Sequence, residues 1–146
     1  MKMKNLFAYG FLLLFVALTT VSCLKDDNDP YDTFGYIPAT GFFFREDSIQ
    51  PVNKPTDIHV TFKVAGDCQD FIEFRELPSL EPNSAKVGVF GKQRNNVSCE
   101  NTERTETKTL KFVPRRAGEQ TLEIWAGKDA AGTDIYISRT FTVPAE

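Results

Sequence analysis

The stretch TDIHVTFKVA, residues 56–65, sets the period for most of the chain. Ile58, Val60, Phe62 and Val64 alternate with His59, Thr61, Lys63 and Ala65. A spacing of two puts one set of side chains in a core and the other in water, as in a β-strand; a helix would need spacings of three and four. Working outward, Phe42 and Phe44, Ile72 and Phe74, Val87 and Val89, Leu110 and Phe112, Leu122 and Ile124, and Ile135 and Ile137 repeat the alternation. These pairs sit in runs rich in β-branched and aromatic residues. Turn-forming stretches separate them: NKP (53–55), AGD (65–67), PSLEPNSA (78–85), GKQRNN (91–96), RRAG (115–118) and GKDAAGTD (127–134). Seven short strands, each with one apolar face, imply two antiparallel sheets packed together, an all-β sandwich.

The run TLKFVPRRAGEQTLEIWAG, residues 109–127, resembles the crossing between the fifth and sixth strands of bacterial immunoglobulin-like domains. There a strand ends at a proline, an Ala-Gly turn follows, and the next strand carries alternating apolar residues. The resemblance implies an immunoglobulin-like sandwich and no particular ligand, because that fold hosts many functions. Pro114 has no N–H to give a ladder and ends its strand, and Gly118 is free to take positive φ where the chain changes sheets. One residue resists the pattern. Arg139 shares the parity of Ile135, Ile137, Phe141 and Val143, so either its head reaches water from the end of the sandwich or a bulge turns it outward.

Ahead of the strands lies a different kind of sequence. Lys2 and Lys4 precede LFAYGFLLLFVALTTVS, residues 6–22, which carries no charge, the layout of a secretory signal peptide. Together with Cys23, Val21 and Ser22 resemble the lipobox of bacterial lipoproteins, although Thr20 stands where leucine is usual. The resemblance implies cleavage after Ser22 and a lipid anchor on Cys23; the alternative is an ordinary signal peptide that leaves a free thiol. Lys25, Asp26 and Asp27 follow and are similar to the export signal of surface lipoproteins in one Gram-negative phylum, which implies an outer-membrane, outward-facing location. The same residues also read simply as a solvated tether. With DPYDTFGYIPATG (29–41), rich in proline and glycine, the tether is expected to span 23–39. The sandwich is expected from residue 40 to 146, roughly the size of one domain.

Three cysteines are an odd count for an exported chain. Acylation of Cys23 leaves Cys68 and Cys99 as a pair, for which a disulfide is the expectation, with two buried thiols or a metal site as alternatives. Two sulfurs without a CxxC, in a chain with one histidine, make a poor zinc site. Removing residues 1–22 takes Lys2 and Lys4 away and moves the formal charge from −3 to −5. An acidic chain without a basic patch does not suit nucleic acid, whose binding depends on Lys and Arg neutralising phosphate. His59, with Asp57 and Thr61 nearby, lacks a recognisable nucleophile turn. Acidic pairs such as Glu73 with Glu76, or Asp129 with Asp134, lack a calcium-loop pattern. No catalytic, metal or cofactor residues are therefore assigned, and a non-enzymatic protein is expected.

Two surface features remain. If residues 127–134 join a hairpin with Ala126 opposite Ile135, Trp125 stands opposite Tyr136 on the outer face. Three readings stay open for this pair: cross-strand packing, a platform for sugar rings or a protein surface, or a patch covered when Tyr31, Phe34 and Tyr36 fold back. Asp47-Ser48-Ile49 is similar to the short O-glycosylation acceptor of exported proteins in the same phylum, which would place a glycan on Ser48. The functional expectation is a lipid-anchored envelope module that binds a glycan or protein; the alternative is a structural subunit of a larger envelope complex.

Overall fold

The computed structural model describes residues 29–100 and 102–145. The signal segment, Cys23, Lys25, Asp26 and Asp27 lie outside the described residues. Eight strands run in order: β1 (Tyr31–Ile37), β2 (Ala39–Phe43), β3 (Thr56–Val64), β4 (Gln69–Leu77), β5 (Ser84–Asn95), β6 (Arg104–Phe112), β7 (Gly118–Lys128) and β8 (Asp134–Val143). A three-stranded sheet, β2-β3-β6, faces a five-stranded sheet built on β5. The chain is the all-β, two-sheet sandwich that the period of two predicts.

Strand β3 follows its sequence closely, since Ile58, Val60, Phe62 and Val64 are fully buried and His59 and Lys63 are exposed. From the other sheet, Val87, Val89, Leu122 and Ile124 meet them, with Phe141 and Val143 from β8. Side chains from two inner faces thus share one core. The 109–127 crossing also forms as expected. β6 ends at Phe112, Pro114 is buried with its carbonyl accepting the Asn53 amide at 2.9 Å, and Gly118 takes φ +90° as the chain enters the other sheet. Arg139 lies opposite the buried Leu122 and is therefore on the core side of edge strand β8. Its guanidinium reaches out over the Phe44 ring at 4.9 Å, the first of the two expected solutions.

Four local expectations need correction. Residues 31–37, assigned above to the tether, form β1, which pairs along β5 from Tyr31 opposite Asn95 to Ile37 opposite Val89, so the sandwich begins before residue 40. Residues 91–95, read as a turn, belong to β5 because β1 and β4 hold that segment from both edges. Ile72 is not inward, because a bulge between Phe71 and Glu73 turns it out, 42% exposed, and sends Phe71 and Phe74 to the core. Finally, the pairing is not wholly antiparallel: Ser84–Val87 of β5 runs parallel to Thr121–Ile124 of β7.

Gly91 explains why a turn residue sits inside a strand. A Cβ there would come within 2.5 Å of Ile37 Cδ1 and 2.6 Å of the Asp70 carbonyl oxygen, so β1 and β4 can both close on β5 only without one. Gly91→Ala is expected to destabilise the fold by about 1–3 kcal/mol, the usual cost of overpacking, read as a lower urea midpoint at unchanged slope.

Candidate functional site

Strands β1 and β7 share one edge of β5, the first along its C-terminal half and the second along its N-terminal end. They meet end to end, which brings Tyr36 to Trp125 with ring centroids 5.9 Å apart. Tyr36 can lie this low because Gly88 has no side chain; a Cβ there would come within 2.6 Å of the tyrosine ring. Tyr36 also meets Phe90 edge-on at 5.5 Å, and Phe90 stacks with Phe34 at 6.4 Å. The Arg75 guanidinium sits 3.3 Å above the Phe90 ring. The outer face of the larger sheet therefore carries a continuous aromatic row, with Phe34 62% exposed at its end.

Trp125 does stand opposite Tyr136, although Ala126 forms a bulge and Gly127, not Ala126, faces Ile135. Tyr36, Trp125 and Tyr136 line a cleft of about 440 Å³, with Leu77 and Pro78 as an apolar wall and Lys128 and Asp134 as the polar groups. The Asp134 carboxylate accepts from Trp125 Nε1 at 3.0 Å and from Lys128 Nζ at 2.7 Å, both at Oδ1. Lys128 first, and then the indole, hold the Asp134 carboxyl below its ordinary pKa by favouring its charged form. Lys86 Nζ lies 4.6 Å from the Tyr136 ring centroid. The segment containing Tyr31, Phe34 and Tyr36 does fold back, but as β1, and Tyr36 forms a wall of the cleft and does not cap it.

Cys68 and Cys99 form a disulfide, with Cα atoms 5.7 Å apart. It ties the start of β4 to the segment before β6 across a separation of 31 residues, worth about 3–4 kcal/mol by the chain-entropy relation. Asp67, Cys68 and Cys99 are the grouping of metal-ligand types found among the described residues, and its two sulfurs are bonded to each other. His59, Asp57 and Thr61 do not act on one another: each side chain instead pairs with one on β6, namely Thr109, Lys111 and Thr107. Asp129 is occupied by the amides of Ala131 and Thr133, Glu73 by Arg75 and Glu76 by Arg115. Ser48 closes a short 3-10 turn and donates its hydroxyl to the Arg45 carbonyl at 2.6 Å.

No protein-family model, curated protein or solved structure matches this chain. Sequence reasoning singled out Trp125 and Tyr136 but did not assign Asp134, Lys128 or Leu77 to a site with them. The available signal was the aspartate at the far end of the 127–134 loop, which the hairpin returns to the indole.

As the only tryptophan, Trp125 reports on the cleft. Because the folded-state pKa of Asp134 is lowered, its contacts persist above the ordinary aspartate range and are lost as pH falls through the lowered value. Trp125 emission is expected to hold constant until the pH passes below that ordinary range and then change; Asp134→Asn should remove this transition.

Proposed function

We propose that this protein is a non-enzymatic, lipid-anchored binding module of the Gram-negative outer membrane, tethered through Cys23, whose aromatic cleft engages a glycan. One observation carries the binding half of the proposal. Three aromatic rings line one shallow cleft on a sheet face, next to a carboxylate whose Oδ2 has no partner among the described residues and beside the Lys128 ammonium. Sugars present apolar C–H faces edged by hydroxyls, so they call for flat rings beside fixed acceptors and donors. Tyrosine and tryptophan supply rings with polar tips, and a few oriented polar groups set specificity in an otherwise apolar site. The anchoring half rests on the lipobox-like Val21-Ser22-Cys23, and the outward-facing placement on Lys25, Asp26 and Asp27.

A second reading has one observation in its favour. The aromatic row runs past the cleft through Phe90 to Phe34, 62% exposed, which is more apolar surface than a sugar needs and suits permanent packing in an envelope complex.

On a glycan array the protein should bind a defined subset of sugars. Trp125→Ala should weaken that binding at least tenfold, with His59→Ala unchanged. An array with no binder would overturn the glycan reading, and a monodisperse monomer without a copurifying partner would remove the second. Palmitate labelling should mark wild type and not Cys23→Ala; unlabelled wild type defeats the anchor, and resistance to protease on whole cells defeats surface display.

A further inference from the structure

Three strands cannot cover five, and the mismatch leaves a groove where β4 and β6, each paired on one edge only, face each other across the open margin of the sandwich. It measures about 1100 Å³, just above the range of about 300–1,000 Å³ usual for small-molecule sites. Its floor is apolar: Phe74 and Val87 from the larger sheet, Leu110 and Phe112 from β6. One side is lined by Phe74, Glu76 and Leu77 of β4 and by Pro78 just after it, about 13 Å of extended chain. A lining of that length leaves room for an extended chain beside the strand.

The rim has the opposite character. In a chain of formal charge −3, the groove is bordered by Lys86, Lys111, Arg115 and Arg116 against one acid, Glu76. Two of the cations are engaged by carboxylates that do not line the groove, Lys111 by Asp57 at 2.6 Å and Lys86 by Glu123 at 3.8 Å. Arg116 makes no ion pair among the described residues, and Arg115 reaches Glu76 at 3.1 Å in a pair that is largely exposed on both sides. Exposed pairs contribute little, so an incoming anion can take the place of Glu76. Two adjacent guanidiniums, set on the turn that Pro114 anchors, present the planar donors that suit carboxylate or phosphate.

We propose that this groove is a second binding site, for an anion carrying one aliphatic chain, with the anionic head on Arg115 and Arg116 and the chain along Phe112, Leu110, Phe74 and Val87. The site shares no aromatic ring with the Trp125 cleft, so its test is separate from that of the glycan reading. The probes are decanoate, decyl phosphate, decanol, decyltrimethylammonium and butyrate, titrated calorimetrically below their micellar concentrations. The protein is residues 23–146 with Cys23→Ser, which keeps every described residue and the whole core. Decanoate or decyl phosphate should bind with measurable heat, and the tighter of the two identifies a carboxylate or a phosphate source. Decanol and decyltrimethylammonium should bind at least tenfold more weakly, and butyrate should give no signal. Arg115→Gln with Arg116→Gln, both exposed, should leave the thermal midpoint in place, weaken the anion at least tenfold and leave decanol unchanged; Trp125→Ala should leave the anion unchanged. Absence of binding by both anions, equal binding of decanol, or an unaltered affinity in the double arginine variant would overturn the proposal.

Discussion

Everything in this sandwich depends on β5 having both edges filled over most of its twelve residues. One edge takes β4; the other is divided between β1 and β7, which approach from opposite directions. Unpaired backbone groups in a strand are costly to bury, and an open central edge would invite pairing with other chains. Filling the shared edge requires two neighbours to end at one place, and the backbone there must tolerate side chains pressed directly onto it. Gly88 and Gly91 provide that tolerance, the first beneath Tyr36 and the second beneath Ile37 and beside the Asp70 carbonyl. The Tyr36–Trp125 contact is thus a consequence of how the central strand satisfies its hydrogen bonds.

The same arrangement explains how charge is distributed over the larger sheet. Outward positions on β4, β5 and β8 carry Arg75, Lys86 and Tyr136, and the cations lie over the rings of Phe90 and Tyr136. Aromatic faces attract cations through their quadrupole, so the row is solvated at its flanks by charge while its rings stay partly open. Asp134 and Lys128 extend this pattern to the hairpin end, where the carboxylate orients the indole.

What the sequence makes legible follows from where each constraint lies. Alternation in β3, β7 and the end of β8 is a local consequence of one face being buried, and it can be read without knowing the neighbours. Trp125 opposite Tyr136 is nearly as local, since a single hairpin sets it, and even the Ala126 bulge leaves the pair intact. β1 is not local. YDTFGYI has a glycine and a flanking proline and an almost wholly exposed pattern, and it is a strand because β5 offers it an edge. Gly91 looks like a turn residue for the same reason: its role is close approach, and the approaching atoms come from positions 37 and 70. The groove is less legible still, because it arises from the unequal strand counts of two sheets.

The two clefts are geometrically joined. Leu77 and Pro78 line both, so the turn from β4 into β5 is a common wall, with Leu80 at its apex fully exposed. Backbone bonds hold the far side of that turn, Ser84 to the Glu81 carbonyl and Thr121 to the Asn83 carbonyl, so its exit is tied to β7 whereas the Leu80 side chain rests on nothing. A displacement of Leu77 or Pro78 on one side is necessarily a change of shape on the other. The core residues of β3, Ile58, Val60, Phe62 and Val64, line neither cleft, so among the described residues Leu77 and Pro78 are the side chains that the two surfaces have in common.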